Sequence, residues 1–533
     1  MTFKIGETWN MTTLNRTWSA YFVVLVILGI TACAPQRPQL IVDDAYPLPA
    51  AKEVFSAGYG SISERYIERT TPAQFTLEGL QGLGSIDPAV IIDSNDDEII
   101  LEVNNSIVGR FEAPEATDSD GWAELTVNVT AKGRQESVEL RQATPEKIYE
   151  AVFDGILSSL DIYSRYAGAL EAKRNRAKRD GFGGIGVRFK IVKGLPQVTF
   201  VMPNTPAMKA GLKMGDRISH AGKDSLSELK QGQVTERLRG PVHSIVALTV
   251  GRKGKVAPLL IEIERAHIVP DTVSYGHQNG IVFLKISNFN QRTARNTLNK
   301  LKKARTDLGE AIKGIVLDLR GNPGGLLKQS IKVADLFLAQ GRVSETRGRH
   351  PDSLQFYDAG GRDMAYGRPV VVLVDGKSAS AAEVTAAALQ DRGRAVVIGT
   401  SSFGKGTVQT VIRLPNEGEM TLTWSRLIAP SGYVMHGLGV FPTICTSGVD
   451  GNSLNGERVV SKAFNEKVRT TAVMEAWRRT SFQDKQQRQE LRAFCPPERR
   501  KKKLDSLVAE AVLNDKTLYA RTLNLSASAA AAR

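Results

Sequence analysis

The sequence predicts a multidomain protein of the α/β class, and three observations support this prediction. The chain has 533 residues, which corresponds to about three or four domains of ordinary size. Apolar residues make up 42% of the chain and charged residues 24%, a composition typical of globular proteins. From about residue 280, apolar strand patterns alternate with helical patterns, which indicates a largely parallel sheet covered by helices.

The residue types that hold metals and nucleotides are sparse. Three cysteines and six scattered histidines are too few for a disulfide scaffold or a zinc ribbon. The sequence contains no HExxH, CxxC or P-loop motif and no acidic EF-hand loop. We therefore expect neither a metal nor an organic cofactor.

Residues 1–33 read as an export signal. Arg16 precedes an apolar run at 21–30, which is too short to span a bilayer as a helix of about 20 residues. Small residues and Cys33 follow, as at a signal-peptide cleavage site. The ending Ile-Thr-Ala-Cys resembles a bacterial lipobox, which implies that Cys33 is lipidated and that Ala34 favours the outer membrane. The alternative is an ordinary signal peptide with an incidental cysteine. Both interpretations predict a location on the periplasmic side of a bacterial envelope.

Export changes how the remaining cysteines and the basic charge are interpreted. Cys445 and Cys495 have the chance to pair in an oxidising compartment, but the sequence alone leaves open whether they do. The formal net charge is +14, and the densest basic cluster is at 499–503. In an exported protein this cluster is expected to be a solvated face or a patch facing anionic lipid. No nucleic-acid partner is predicted.

Residues 34–180 are predicted to be an amino-terminal region with four parts. The parts are a tether at 34–45, helices from 48 to 95, a small β unit at 96–141 and a helix at 144–175. The β unit rests on alternating stretches at 99–103, 123–129 and 137–140. The last helix is expected because Pro145 follows Thr144, a favoured start.

Residues 181–266 are predicted to be a compact β-rich module. The stretch PAMKAGLKMGDRI at 206–218 contains a helix entry, a helix exit and a turn into a strand. This stretch resembles that of PDZ domains, whose Gly-rich loop receives a peptide's terminal carboxylate while the peptide adds as a strand to a sheet edge. The resemblance implies that Gly184, Ile185, Gly186 and Val187 form this loop. A nucleotide site is disfavoured because no Rossmann helix follows.

Residues 271–446 are predicted to be the catalytic core, with three turns beside predicted strands. The turns are DLRGNPGG at 318–325, DGKSASAAE at 375–383 and FGKGTVQ at 403–409. In the second turn, Ser380 would lie at the amino end of a helix, where free backbone N–H groups such as that of Ala381 can hold an oxyanion. The alternative role for Ser380 is a simple helix cap.

A serine nucleophile needs a base, and Lys405 is the candidate in the third turn. Lys405 lies between two glycines, which permit close backbone approach. The ordinary lysine pKa is about 10.4, but burial can lower it enough for the amine to accept a proton. Gln409 would share a face with Lys405 if the following strand extends back to the turn. The alternatives are a surface lysine and a solvated strand residue.

The three turns together resemble those of the carboxy-terminal processing proteases, which include the tail-specific proteases. The resemblance covers residues 143 to 445 and includes the order of parts around the PDZ module. Lys405 follows Ser380 by 25 residues, as in that family. The resemblance implies that Ser380 is the nucleophile, Lys405 the general base and Gln409 its orienting residue. It also implies that Gly325 and Ala381 supply the oxyanion N–H groups, that Asp391 has a supporting role, and that the core is crotonase-like.

We therefore predict an exported, lipid-anchored serine endopeptidase with a Ser–Lys dyad and a helical amino-terminal region. Its partners would be proteins or peptides recognised near their carboxyl termini, an adaptor or activator protein, and the membrane through the lipid anchor. One alternative is an inactive PDZ adaptor on the same scaffold. Another is an acyl-transfer or hydratase enzyme. The basic region at 447–533 is predicted to be a helical tail and lies outside the resemblance.

Overall fold

The computed structural model describes residues 46–95, 97–449, 456–499 and 503–527. The predicted signal peptide, Cys33 and the tether lie outside the described residues, as do residues 500–502 of the basic cluster. No helix within the described ranges is long and apolar enough to cross a bilayer.

The amino-terminal region consists of helices and a three-stranded antiparallel sheet of order β1-β2-β3. Its elements are α1 (Leu48–Arg65), α2 (Pro72–Gln81), β1 (Val90–Ser94), β2 (Glu98–Val103), β3 (Ser106–Glu112), α3 (Ser119–Glu136), α4 (Val138–Gln142) and α5 (Pro145–Leu160), with a 3-10 turn at Gly82–Ser85.

The prediction of a β unit over 96–141 is wrong in its second half. Residues 119–136 form helix α3, because Trp122, Thr126 and Val129 recur at helical spacing and are buried. The side chain of Asp118 caps this helix by accepting hydrogen bonds from the next turn. Ser137 caps α4 in the same way rather than starting a strand. Residues 90–94, predicted to be helical, form β1.

The helix predicted over 144–175 is interrupted. After α5 the chain turns at 161–164, forms β4 (Arg165–Ala167) and re-enters a helix as α6 (Ala169–Asp180). The Asp161 carboxylate makes the turn by accepting hydrogen bonds from the N–H groups of Tyr163 at 2.7 Å and Ser164 at 2.9 Å. Such side-chain bonds to the backbone compete with helix formation. Strand β4 then pairs with a strand of the core.

The PDZ-like module is a sheet of order β11-β10-β8-β7-β6, with β9 paired to β8. Strand β6 is therefore an edge strand, the position at which a peptide can add. A short pair of β5 and β12 closes the module. The elements are β5 (Phe182–Gly184), β6 (Val187–Val192), β7 (Leu195–Val201), α7 (Pro206–Lys209), β8 (Arg217–Ala221), β9 (Asp224–Ser225), α8 (Gln231–Leu238), β10 (Ile245–Gly251), β11 (Leu259–Glu264) and β12 (Ala266–Ile268).

The core contains two sheets. The first has the order β13-β14-β15-β18-β19-β22 and is parallel from β14 onward; the second is antiparallel with the order β17-β16-β21-β20. The elements are β13 (Val273–Gln278), β14 (Ile281–Ile286), α9 (Thr293–Leu308), β15 (Gly314–Asp318), α10 (Leu327–Asp335), β16 (Gly341–Gly348), β17 (Gln355–Ala359), β18 (Val370–Val374), α11 (Ala381–Asp391), β19 (Val396–Gly399), β20 (Thr407–Arg413), β21 (Glu419–Ile428) and β22 (Ile444–Cys445), with 3-10 turns at Gly309–Ala311 and Pro351–Ser353.

The carboxy-terminal region packs against the core instead of extending from it. Its helices are α12 (Gly456–Asn465), α13 (Lys467–Arg479), α14 (Lys485–Ala493), α15 (Lys503–Asn514) and α16 (Lys516–Ala527). Apolar residues of α12 and α15 pack on one face of the parallel sheet, against side chains such as Val316 and Ile398. Helices α9, α10 and α11 contribute to the core on the other face. A disulfide between Cys445 and Cys495 joins β22 to the segment after α14.

Candidate active site

Ser380 lies in the sharp turn between β18 and α11. Its φ is +54°, which is uncommon for a residue other than glycine and marks a strained turn. The N–H of Ser380 donates to Oε2 of Glu383 at 2.7 Å, which is half of a capping box. Nearby Ser378 is fully buried, and its hydroxyl donates to the carbonyl of Leu319 at 2.9 Å. The geometry therefore favours Ser380 as the nucleophile of this turn.

The NPGG turn lies directly against Ser380. A Cβ atom on Gly324 would fall 2.9 Å from Cβ of Ser380 and 3.2 Å from N of Ala381, so this approach requires glycine. Gly325 has a φ of +132°, and a Cβ there would fall 2.2 Å from the carbonyl oxygen of Phe289. Within the described ranges, the N–H groups of Gly325 and Ala381 donate to no protein acceptor. Two such groups beside a nucleophile are able to stabilise an oxyanion.

Lys405 lies in the loop between β19 and β20. A Cβ atom on Gly406 would fall 1.9 Å from N of His436, so the loop packs closely on the neighbouring turn. The N–H of Phe403 donates to the carbonyl of Ser378 at 2.9 Å and ties the loop to the Ser380 turn. Burial lowers the pKa of Lys405 from its ordinary value, and the nearby charge of Arg165 lowers the pKa further.

The amine of Lys405 lies over an aromatic ring. Its Nζ atom is 4.8 Å from the centre of the Tyr163 ring, which is cation–π distance. In the described part of the chain, no hydrogen bond links Nζ of Lys405 with Oγ of Ser380. The two side chains lie on adjoining loops and are not hydrogen-bonded to each other in this described part.

Glu383 connects these two loops, a role that the sequence analysis did not assign. It is fully buried. Its Oε2 atom accepts from the N–H of Ser380 and also from the N–H of Lys405 at 2.9 Å, and its Oε1 atom accepts from the N–H of Gly404 at 2.6 Å and from the hydroxyl of Ser402. Burial raises the pKa of Glu383, and these hydrogen bonds oppose that shift. The sequence contains one indication of this role, because a serine followed three residues later by a glutamate is the pattern of a capping box.

Within the described residues, no hydrogen bond links Gln409 with Lys405. Its amide donates to Oγ1 of Thr407 at 2.9 Å and to Oγ1 of Thr423 at 3.3 Å. Strand β20 begins only at Thr407. Lys405 therefore lies in the preceding loop, where the alternation of faces on which the predicted contact rested does not apply.

Asp391 lies at the opposite end of α11 from Ser380. Its Oδ2 atom accepts from the N–H of Ser431 at 3.0 Å and from the Ser431 hydroxyl at 2.6 Å. Its Oδ1 atom forms a buried ion pair with Arg478 of α13 at 2.9 Å. These contacts make Asp391 a link between α11 and the carboxy-terminal helices.

The predicted peptide loop of the module lies before the edge strand β6. Ile185 is buried in the core of the module, and its carbonyl accepts from the N–H of Ala207 at 2.9 Å. Gly186 has a φ of +87°, and a Cβ there would fall 2.4 Å from Cβ of Thr205. This loop therefore requires glycine, and Val187 follows it as the first residue of β6.

A strained serine at a strand-to-helix turn, two backbone N–H groups beside it and a buried lysine on the adjoining loop define a class of hydrolase that acts through a serine nucleophile. The comparisons with known proteins agree. A model of peptidase family S41 matches residues 280–446, and a model of the PDZ domain matches residues 183–263.

Two relatives are similar in sequence. The carboxy-terminal-processing protease of Bartonella bacilliformis is 39% identical over 301 residues, which cover 56% of this chain and 69% of that protein. A probable CtpA-like serine protease of Staphylococcus epidermidis is 30% identical over 319 residues, 59% of this chain and 64% of that protein. Among solved structures, a photosystem II D1 C-terminal processing protease aligns over 74% of this chain and 92% of that chain, with 20% identity and a TM-score of 0.38.

The chain belongs to the carboxy-terminal-processing proteases of peptidase family S41. It is a serine-type peptidase with a PDZ domain, and the predictions of this family and of a multidomain α/β fold are confirmed.

Proposed function

We propose that the chain is an exported endopeptidase that uses a Ser380–Lys405 dyad and recognises its protein substrates near their carboxyl termini. The observation that carries this proposal is the position of Glu383, whose Oε2 atom accepts hydrogen bonds from the backbone of both dyad residues. One rigid carboxylate thus holds the nucleophile loop and the base loop in a fixed relation.

The reaction begins with the neutral amine of Lys405. This amine takes the proton of the Ser380 hydroxyl while Oγ attacks the scissile carbonyl carbon. The carbonyl oxygen becomes an oxyanion, which the N–H groups of Gly325 and Ala381 stabilise. Protonated Lys405 gives its proton to the leaving amine, and a water molecule then resolves the acyl-enzyme with the same lysine as base.

The dyad must close before this chemistry. Nζ of Lys405 faces the ring of Tyr163, so the side chain has to turn toward Oγ of Ser380. A substrate that approaches the Ser380 turn, with its terminal residues on the PDZ edge strand β6, would favour the closed arrangement by occupying the cleft. An adaptor or activator protein would act on the same step.

The dyad is tested with purified mature protein and an unfolded protein that carries an apolar carboxyl terminus. Wild type is expected to cleave it in the presence of a chelator, whereas Ser380→Ala and Lys405→Ala do not. Cleavage that persists in both variants would overturn the dyad. If wild type binds the peptide but does not cleave it, even after an adaptor or activator protein is added, the adaptor alternative is favoured.

Location is a separate part of the proposal. The signal features at 1–33 support export, and lipidation at Cys33 would anchor the chain on the periplasmic side, with the outer membrane favoured. In cells grown with a palmitate analogue, we expect the wild-type protein to carry the label and the Cys33→Ala variant to lack it. Equal labelling of both would overturn the anchor, and sedimentation of the wild type in outer-membrane fractions would support its location.

A further inference from the structure

A cleft of about 920 Å³ adjoins the loop that carries Lys405. Phe403 and Gly404 of that loop contribute to its lining, together with the 161–163 turn and the helix α14. Tyr163, whose ring contacts Lys405, lines the cleft as well. An extended peptide whose scissile bond lies at Ser380 and whose chain runs along the Lys405 loop therefore has this cleft beside it. We call it the basic cleft, for the four cations Arg426, Lys485, Arg488 and Arg492 that line it.

The acidic residues of the lining already have partners. Glu68 pairs with Arg426 at 3.1 Å. The Asp161 carboxylate accepts hydrogen bonds from the backbone of its own turn and from Oγ1 of Thr423 at 3.1 Å. Glu68 is thus engaged by Arg426, and Asp161 keeps its charge but stands against three further cations, so the lining retains an excess of positive charge.

Three cations of the basic cleft have no ion pair within the part of the chain that the structure describes: Lys485, Arg488 and Arg492. Arg488 is only 5% exposed, and its Nη2 atom donates to the carbonyl of Val434 at 2.8 Å. Arg492 donates to the carbonyl of Ser402 at 3.1 Å. Carbonyl acceptors orient a guanidinium without cancelling its charge.

The pKa shifts around the cleft agree with an excess of positive charge. Burial lowers the pKa of His436, and the charges of Arg426 and Arg488 lower it further; Asp161 opposes this shift, and Lys405 adds the smallest lowering effect. Burial also lowers the pKa of Arg488. An anion placed in this cleft would relieve both effects, since an opposite charge favours the charged form of a basic group.

We propose that the basic cleft binds acidic side chains of the substrate that flank the scissile bond, and so adds a preference for Asp or Glu to the protease. This inference rests on the proposed function, because it assumes that a peptide lies along the Lys405 loop. Apolar surface beside the cations would contact neighbouring substrate residues, since Phe403 is 39% exposed and Ile162 is 86% exposed.

The test starts from a peptide that wild type cleaves at a bond mapped by mass spectrometry. In matched peptides, each residue flanking that bond is either Gln or Glu, so the pair differs in charge and hardly in shape. We expect Glu to raise kcat/KM by about threefold or more at one or more positions, as for an exposed ion pair. The gain should shrink at high ionic strength, where such pairs are screened.

Two variants of cleft residues and one control variant test whether the gain comes from the cleft. Lys485 is exposed, and its side chain has no hydrogen bond or ion pair in the described structure, so Lys485→Glu reverses a charge without breaking either. It should remove the gain from Glu and favour a peptide with Lys at the same position. Lys302→Glu makes the same charge change at an exposed position of α9 and should keep the gain. Arg426→Gln should reduce it.

Several outcomes would overturn the inference. One is equal kcat/KM for the Gln and Glu peptides at every position, and another is a gain that persists in both Lys485→Glu and Arg426→Gln. Inhibition by a product with a free carboxyl terminus but not by its amide, without side-chain preference, would show that the cleft takes a terminal carboxylate instead. If wild type cleaves no peptide, the proposed function has failed. The affinities of the Glu and Gln peptides for the Ser380→Ala variant are then compared, and equal affinities would overturn this inference independently of the proposed function.

Discussion

Nζ of Lys405 lies 4.8 Å from the centre of the Tyr163 ring. The ring belongs to the turn that Asp161 organises, immediately before β4 and Arg165. Tyr163 and Arg165 thus act on the proposed general base from the segment between α5 and α6, outside the predicted catalytic core. The ring contacts the amine, and the charge of Arg165 adds to burial, the larger cause, in lowering the pKa of Lys405.

The first prediction concerns Arg165, an exposed residue whose positive charge lowers the pKa of Lys405. Replacing it in Arg165→Gln removes that repulsion, so the pKa of Lys405 should rise. Because the neutral amine is the base, the acidic limb of the kcat/KM–pH profile should then move to higher pH. The control Lys302→Gln removes a positive charge from α9, whose charge does not contribute to the pKa shift of Lys405, and should leave the pH of the acidic limb unchanged. An unchanged profile in Arg165→Gln would contradict the assignment of this limb to Lys405.

The second prediction concerns Glu383. In Glu383→Gln an amide N–H₂ group replaces one carboxylate oxygen among four hydrogen-bond donors, so at least one buried donor loses its acceptor. We expect a loss of about 2–3 kcal/mol in the free energy of unfolding, measured by urea titration. Cleavage should fall at least about a hundredfold, since misplacement of a catalytic loop is costly.

The control for Glu383→Gln is Ser380→Ala, which should abolish cleavage. Its midpoint of unfolding should lie close to the urea concentration at which the wild type is half unfolded. Peptide binding by the PDZ domain should survive in both variants. A Glu383→Gln protein with wild-type activity would show that the carboxylate does not hold the two loops in register.

The strand-end turns could be located from the sequence because they are short, rich in glycine or small residues, and follow apolar strands. Local pattern left a helix cap for Ser380 and a surface position for Lys405 open, and the resemblance to a family was needed to assign their roles. That Gln409 donates to Thr407 and Thr423 instead of orienting Lys405 could not be predicted, because it depends on where β20 begins and on its irregular pairing with β21. A bulge is a property of two strands together and leaves little trace in either one.

The elements that were wrongly predicted show the same limit. Residues 123–129 alternate well enough to suggest a strand, but their buried face follows a helical period once Asp118 caps the segment. The packing of α12 and α15 on the parallel sheet could not be predicted either, because the apolar face of a helix does not specify the surface against which it packs. Long-range contacts thus decided the parts that local pattern left open.

The third prediction tests the role of Asp391. Its ion pair with Arg478 is buried on both sides, and removing one partner of such a pair costs about 3–5 kcal/mol. Asp391→Asn should therefore lower the free energy of unfolding, measured by urea titration, by an amount of that order. If the role is structural, the folded protein at low temperature should keep a kcat/KM within about threefold of wild type, with the same pH profile. A shifted pH profile at unchanged stability would instead place Asp391 in the catalytic machinery.

The fourth prediction concerns the disulfide between Cys445 and Cys495, which closes a loop of 50 residues. The segment that it fixes follows α14, whose Arg492 donates to the carbonyl of Ser402 beside the Lys405 loop. Cys495→Ser should lower the free energy of unfolding by about 2–4 kcal/mol, chiefly because the unfolded chain gains freedom. It should also lower cleavage, because α14 loses its anchor next to that loop. The double variant Cys445→Ser/Cys495→Ser should be no less stable than either single variant, and a reductant should affect wild type but not the double variant. Additive losses would show that the two cysteines act independently, against the bond that the structure contains.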